Sequence, residues 1–174
     1  EAVRVVDHDS DVELRPGAGF SADLVIAFSS AAINTQAYHL DFSEAAFKAE
    51  IARARTFGFL NEVEHLRDNG RALGGSLDNA VVIDGDVVLN EGGLRYTDEF
   101  VRHKMLDVIG DLALAGTPIE GRFFGHRSGH ALNNQALRTL FATPSAYELV
   151  TPDPETVSAG YRVEDAAVLP TAAA

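Results

Sequence analysis

The residues best suited to chemistry lie in one predicted helix, residues 97–116. His103, Asp107 and Asp111 are spaced four residues apart in it and therefore stack along one helical face. The rest of its circumference is so rich in apolar residues that the helix must be largely buried. An ionised carboxylate is costly to bury without a partner, and a metal ion could compensate both aspartates. The alternative is an amphipathic helix whose exposed side carries these three residues.

A second group of reactive side chains lies at a strand-to-helix junction. His126, Arg127 and His130 meet there beside the free amides of a helix N-terminus, a combination that favours an anion or a developing oxyanion. His130 could transfer a proton if a carboxylate orients its other ring nitrogen, and Asp111 is the obvious candidate. The alternative is that Ser128 caps the helix and that both histidines are surface residues.

Two further stretches could contribute to a site. The run Thr56-Phe-Gly-Phe59 places one hydroxyl beside two rings, either as the wall of a site or as a helix stop whose rings belong to the core. The pair Glu64-His65 could combine a base with a metal ligand, but adjacent helical residues diverge in direction. We expect His65 to be a surface or passage residue.

Composition limits the possible classes of protein. The 174 residues form one domain that is long enough to bury a core. Cysteine is absent, which excludes disulfides and a thiolate metal site. The net charge of -12 argues against nucleic-acid binding and disfavours docking on anionic lipid. No apolar run approaches the length of a membrane span, and no signal peptide opens the chain. Because it begins with Glu1, we expect a processed product or a fragment.

Hydrophobic periodicity and turn signals predict the elements that must position these residues. Ser43, Thr97 and Ser128 are the predicted N-caps, and Gly116 is the predicted C-terminal glycine of the long helix. We expect helices at 44–56, 60–69, 97–116 and 129–142, and strands at 3–6, 12–14, 20–28, 38–42, 80–83, 87–90, 119–124 and 146–150.

These elements predict an α+β fold, a two-layer sandwich. A mostly antiparallel sheet carries two main helices on one face, and a small strand-helix-strand insertion occupies about residues 58–90. The domain is expected to span residues 1–150. Residues 151–174, with three prolines and a closing run of alanines, are expected to form a loosely ordered tail.

Six motifs, taken in order, carry a resemblance to a known family. They are Ala52-Arg-Ala-Arg-Thr-Phe-Gly-Phe59, Leu73-Gly-Gly-Ser-Leu-Asp-Asn79, Val88-Leu-Asn90, Gly93-Leu-Arg95, Asp98-Glu-Phe-Val-Arg-His-Lys-Met-Leu-Asp107 and Ser128-Gly-His-Ala-Leu-Asn-Asn134. Together they closely resemble the C-terminal half of UDP-3-O-acyl-N-acetylglucosamine deacetylase, the zinc amidase of lipid A biosynthesis. The resemblance covers essentially all of residues 1–150.

The resemblance implies a role for each reactive residue. His103 and Asp107 would be two of three protein ligands to a catalytic Zn²⁺, in a set that leaves a position open. Asp111 would orient His130, and His130 would act as the charged partner or general acid that helps the amine leave. Thr56 would hydrogen-bond the oxyanion.

The resemblance also implies how the substrate, a UDP-linked acylated glucosamine, is held. Lys104 would meet the sugar or its anionic substituents, and Phe57 would pack beside the substrate. Arg127 stands where many family members have lysine. The positive charge is the same, but arginine presents a planar guanidinium group with several donors in place of a single ammonium group. The insertion would form a hydrophobic passage for the acyl chain, with candidate lining residues Phe59, Leu60 and Val63.

One departure from the family pattern limits what this chain should do alone. In the family, the third zinc ligand, a histidine, and the glutamate base lie on an N-terminal half that this chain lacks. We therefore expect that half to be a partner and the isolated chain to be inactive or nearly so. The complete enzyme is implied to be cytoplasmic and monomeric.

Two other functions stay open at this point. The chain could be a non-catalytic module that binds an acyl or nucleotide ligand through the passage and the basic junction. It could also be an unrelated metal hydrolase whose third ligand is His126 or His130 within this chain.

Overall fold

Two sheets and four helices make up the fold in a computed structural model that describes residues 1–71, 74 and 76–151. The strands are β1 (Val3–Asp7), β2 (Ser10–Arg15), β3 (Phe20–Ala27), β4 (Thr35–Asp41), β5 (Thr56–Phe59), β6 (Ala80–Asp84), β7 (Val87–Val88) and β8 (Gly121–His126). The α-helices are α1 (Glu44–Ala46), α2 (Leu60–Asp68), α3 (Glu99–Leu112) and α4 (His130–Ala142). A π-helical segment (Phe47–Ile51) continues α1, a 3-10 turn (Ala113–Ala115) continues α3, and another 3-10 turn (Pro144–Ala146) follows α4.

The main sheet has the strand order β1-β2-β8-β3-β4. All its neighbours are antiparallel except β3 and β8, which run parallel. The smaller sheet has the order β5-β6-β7, in which β5 and β6 are parallel and α2 lies between them in the chain. The predicted α+β fold, with a mostly antiparallel sheet and a strand-helix-strand insertion, is therefore confirmed.

The two long helices cover one face of the main sheet. Helix α3 packs on β3 and β4, α4 packs on β1 and β2, and the helices contact each other. Inward residues alternate along the strands, as in β3, where Ala22, Leu24 and Ile26 are buried. From α3, Phe100 and Met105 are wholly buried in this core, which confirms that the helix is largely internal.

The helix expected at 44–56 is shorter than the sequence predicts. Ser43 caps it as expected, because its hydroxyl accepts a hydrogen bond from the amide of Ala46 at 3.0 Å. The α-helical geometry then gives way to the π-helical segment, and Thr56 begins β5. The interpretation of residues 56–59 as a helix stop is wrong, because pairing with β6 favours an extended conformation for a segment rich in aromatic residues.

Two of the predicted helix caps also differ from the structure. Asp98, not Thr97, precedes α3, and its carboxylate accepts a hydrogen bond from Arg102 Nε at 2.6 Å. Gly129, not Ser128, precedes α4, and the Ser128 hydroxyl is buried without a hydrogen-bond partner, so it does not cap the helix. Gly116 has a φ of 74° and ends the long helix as predicted.

The strand expected at 146–150 is not formed. Tyr147, the residue after the 3-10 turn, places its ring against Phe141 of α4, with 5.5 Å between the centroids. Within residues 1–71, 74 and 76–151, β8 is the last strand. The tail predicted for 151–174 lies, apart from Thr151, outside the described residues.

A tightly packed glycine in β8 allows a test of this core. A Cβ at Gly125 would lie 2.7 Å from Phe123 Cε1, 2.9 Å from Leu24 Cδ1 and 2.9 Å from Ser128 Oγ. We expect Gly125→Ala to lower the free energy of unfolding by about 1–3 kcal/mol through overpacking. Ser128→Ala removes a buried hydroxyl that has no partner, so it should leave that free energy unchanged or raise it. Urea denaturation of both variants checks this, and similar losses in the two would contradict it.

Candidate active site

A column of ionisable side chains runs along the buried face of α3. It consists of Glu99, His103, Asp107 and Asp111, each separated from the next by four residues. Burial raises the pKa of Glu99, but hydrogen bonds from Arg55 and Arg95 outweigh this effect and the pKa is lowered. Sequence reasoning missed Glu99, although the same four-residue spacing that identified the other three would have found it.

His103 and Asp107 bring a nitrogen and an oxygen donor together. His103 Nε2 lies 3.4 Å from Asp107 Oδ1, and the two side chains are only 14% and 16% exposed. Burial lowers the pKa of His103, while the charge of Asp107 and the carbonyl of Ala54 partly oppose that shift. His103 Nδ1 is buried without a hydrogen bond of regular geometry. A neutral imidazole beside a carboxylate is the form in which these groups bind a metal.

The second oxygen of Asp107 connects this pair to Lys104 and to a second histidine. Lys104 Nζ lies 2.7 Å from Asp107 Oδ2, and His130 Nε2 lies 3.9 Å from the same atom. Asp107 is thus shared by groups from two helices. Of the second group found in the sequence, His130 thus joins the residues of α3 in one cluster.

His130 is oriented by a buried carboxylate. Its Nδ1 lies 2.9 Å from Asp111 Oδ1 and 3.0 Å from Oδ2, which leaves Nε2 on the side that faces Asp107. Asn133, also buried, donates a hydrogen bond from Nδ2 to Asp111 Oδ2 at 2.8 Å. Sequence reasoning did not single out Asn133, although its position three residues after His130 on α4 was an available signal.

Strand β5 forms a wall beside the cluster. Thr56 is exposed at the start of the strand. The Phe57 ring lies edge-on to His103, with 6.1 Å between ring centroids, and edge-on to the buried Phe100, at 5.0 Å. Phe28 packs against the other side of Phe57 at 5.6 Å. The Phe57 ring therefore contacts both the core and His103, and its role as the wall of a site stays a prediction.

The insertion borders a cleft of about 660 Å³, whose lining includes Phe59 and Leu60. Phe59 also packs on Phe28, with 6.5 Å between the ring centroids. Val63 packs against Gly58, where its Cγ2 lies 3.3 Å from the place that a Cβ would occupy. His65 is exposed on α2, as predicted.

The basic junction before α4 faces carboxylates of the β1–β2 hairpin. Arg127 Nη1 lies 3.6 Å from Asp9 Oδ2, and His126 Nδ1 lies 3.9 Å from Asp11 Oδ1. Arg127 has a φ of 52°, and its amide donates a hydrogen bond to the carbonyl of Val25 at 2.8 Å. The side chain of Arg127 is 44% exposed.

The number and type of donor atoms in the cluster determine whether it can bind a metal ion. Among the described residues, no group of three or more histidine, cysteine, aspartate or glutamate side chains is arranged to hold a metal ion. His103 and Asp107 supply two donors of the types that zinc accepts. His126 Nδ1 lies 3.9 Å from Asp11 Oδ1 and His130 Nδ1 lies 2.9 Å from Asp111 Oδ1, and within the described part of the chain neither histidine joins His103 and Asp107 in a group of three donors.

The fold and the site together define a class. The fold is an α+β domain, and in its site a buried carboxylate orients a histidine beside a nitrogen and oxygen donor pair, an arrangement suited to acid–base and metal-assisted chemistry. The family model of UDP-3-O-acyl N-acetylglycosamine deacetylase matches residues 1–142, and the chain belongs to that family. The resemblance found in the sequence is confirmed.

Similar proteins agree with this assignment. Each of three relatives is named UDP-3-O-acyl-N-acetylglucosamine deacetylase. The protein from Idiomarina loihiensis is 53% identical over 161 residues, which cover 91% of this chain and 53% of the relative. That from Phenylobacterium zucineum is 55% identical over 86% of this chain and 51% of its own length. That from Haemophilus influenzae is 51% identical over 92% and 54%. The chain thus spans about half the length of the curated relatives it matches.

None of the described helices is long and apolar enough to cross a membrane.

Proposed function

We propose that this chain supplies one half of the active site of a zinc-dependent UDP-3-O-acyl-N-acetylglucosamine deacetylase of lipid A biosynthesis. The observation that carries the proposal is the convergence of His103 Nε2 and Asp107 Oδ1, 3.4 Å apart, beside the pair formed by Asp111 and His130. The family match and the relatives' names support the reaction and the substrate class. The reaction would hydrolyse an acetamide to acetate and a free amine.

His103 and Asp107 would hold the metal, and a third protein ligand is expected from the N-terminal half. Their nitrogen and oxygen donors fit zinc, and two ligands from this chain leave room for others. When bound, the ion would supply Lewis acidity for the acetamide carbonyl and an activated water. The pairing of Lys104 with the outer oxygen of Asp107 would orient that carboxylate.

His130 is the proposed general acid. Asp111 binds Nδ1, so His130 would act in its imidazolium form and donate the proton on Nε2, which faces the cluster. Protonation of the glucosamine nitrogen would turn a poor leaving group into a good one. Thr56, exposed at the start of β5, would donate its hydroxyl proton in a hydrogen bond to the oxyanion.

Other residues would hold the parts of the substrate that do not react. Lys104 would meet the sugar or its anionic substituents, and Arg127 would contact the pyrophosphate. Phe57 would pack beside the sugar, because its ring already forms a wall against His103. The acyl chain would enter the passage of the insertion, for which Phe59, Leu60 and Val63 are the proposed lining residues.

The complete enzyme is proposed to be a cytoplasmic monomer from a Gram-negative bacterium. The N-terminal half would bring the third zinc ligand and the glutamate that removes the proton from water. The family match supports this arrangement, because the relatives are about twice as long as the matched segment.

Reconstitution tests the proposal. We expect the purified chain to hold zinc weakly and to show almost no turnover, because two protein ligands bind the ion poorly. Supplying the N-terminal half of a relative, such as the protein from Haemophilus influenzae, should restore both zinc binding and deacetylation. The N-terminal half alone is the control. Turnover by the chain alone, or none by the two halves together, would contradict the proposal.

The cleft of the insertion gives little support to the alternative function, a non-catalytic module that binds acyl or nucleotide ligands. Its lining combines Phe59 and Leu60 with four acidic residues, Glu62, Glu64, Asp84 and Asp86, whose charges oppose a pyrophosphate. Such a module would bind an acylated ligand equally well with and without a chelator. The deacetylase should lose most of its affinity when zinc is removed.

A further inference from the structure

The carboxylate of Glu99 is completely buried and lies one helical turn before His103. Burying a charged group is costly unless its partners replace the lost water. Replacing a buried ion pair by apolar residues is often neutral or stabilising, so such a pair is weak support for a role in stability alone. The segments that Glu99 connects are therefore more informative than its burial.

The partners of Glu99 come from the start of β5 and from the loop before α3. Glu99 Oε1 accepts hydrogen bonds from the amide and from Nε of Arg55, both at 2.9 Å. Glu99 Oε2 accepts from Arg55 Nη2 at 3.0 Å and from the amide of Arg95 at 2.6 Å. Arg55 Nη2 also donates to the carbonyl of Gly93 at 2.8 Å. Glu99 thus fixes both the main chain and the side chain of Arg55 on α3.

The neighbours of Arg55 contact the site. Phe57, two residues on, places its ring edge-on to His103, with 6.1 Å between ring centroids. Thr56, the first residue of β5, lies between Arg55 and Phe57. Because the amide of Arg55 is bound to Glu99 on α3, this bond restrains residues 55–57 relative to His103.

We propose that Glu99, acting through Arg55, is a positioning residue that holds residues 55–57 against His103. It would thereby set the orientation of the imidazole and the location of the Thr56 hydroxyl. The part that concerns Thr56 rests on the proposed function, whereas the part that concerns His103 does not. A pair that only stabilised the fold would leave the His103 ring unaffected when it is weakened.

Two neighbouring substitutions separate these roles. Glu99→Gln keeps the shape of the side chain and removes the charge that binds Arg55. Asp98→Asn is the matched control, because Asp98 also binds an arginine, Arg102. Arg102 donates in turn to the hydroxyl of Tyr38 at 2.9 Å. Tyr38 lies on β4 and not on β5. Both substitutions therefore weaken an ion pair in the same helical turn.

The measurement is made first on the purified chain, with nitrogen-15 in its histidine rings and amides. We expect Glu99→Gln to shift the ring resonances of His103 and the amide resonance of Thr56, and Asp98→Asn to leave both at their wild-type positions. With the N-terminal half supplied, Glu99→Gln should lower kcat about tenfold and change KM less than about twofold, because misplacement mainly affects the transition state. Unchanged resonances in a folded Glu99→Gln chain, or equal shifts in Asp98→Asn, would overturn the proposal.

A second variant serves if Glu99→Gln does not fold. Arg55→Lys keeps the charge and the backbone hydrogen bond but loses the paired guanidinium hydrogen bonds to the carboxylate. Arg55→Lys should shift the His103 resonances in the same direction as Glu99→Gln but by a smaller amount. Unchanged His103 resonances in Arg55→Lys would overturn the proposal. If the wild-type halves fail to deacetylate the substrate, the proposed function fails, while the resonances of His103 still decide the role of Glu99.

Discussion

Replacing His103 by alanine should remove both the metal and the activity, whereas replacing His130 should remove the activity and leave the metal. The reason is geometric: His103 Nε2 lies beside the carboxylate of Asp107, while His130 is bound through Nδ1 to Asp111. A site that retains one ligand from this chain should lose zinc on dialysis. Loss of a general acid costs about 10²–10⁴ in rate, so His130→Ala should lower kcat by that factor. Metal analysis and steady-state kinetics on the chain combined with its N-terminal half measure both effects.

The matched control for these variants is His65→Ala. His65 is exposed on α2 and is expected to take no part in the site, so its removal should leave zinc content and kcat unchanged. Retention of a full equivalent of zinc by His103→Ala would show that the metal lies elsewhere. Loss of zinc from His130→Ala would instead make His130 a ligand, and the assignment of a general acid would then be wrong.

The long periodic elements of this fold could be predicted because their signals are local. Helix α3 shows its apolar residues at helical spacing, and Gly116 marks its end. β5 could not be predicted in the same way, because residues 56–59 are extended only through pairing with β6, more than twenty residues further on. The Ser128 cap failed because packing of that side chain under Gly125 outweighs the local preference of serine for a helix N-terminus.

The same difference between local signals and long-range contacts applies to the candidate site. The spacing of His103, Asp107 and Asp111 indicated a shared face, and the pairing of Asp111 with His130 followed from chemistry. The importance of Glu99 depends on Arg55, which is forty-four residues away in the chain, and no spacing within α3 reveals that contact. Motif resemblance supplied what spacing alone could not, because it compares whole segments in order.

Phe100→Ala should be among the most destabilising substitutions in the chain. Phe100 is wholly buried in α3, between the core and β5, and its ring packs edge-on against Phe57 at 5.0 Å between centroids. Truncation of a buried phenylalanine leaves a cavity that the neighbours fill only in part, so we expect the free energy of unfolding to fall by about 3–5 kcal/mol. Urea denaturation monitored by circular dichroism measures the loss.

The same substitution should also affect the site, because Phe57 loses the ring that supports it beside His103. Leu114→Ala is the matched control, since Leu114 follows α3 and is 68% exposed, and its truncation should change the unfolding free energy by less than about 0.5 kcal/mol. In a background stabilised enough to keep Phe100→Ala folded, the amide resonance of Phe57 should shift, and that of a residue on the far strand β1 should not. If Phe100→Ala proved no more destabilising than Leu114→Ala, β5 would not be packed on α3, and the wall assigned to Phe57 would have no support.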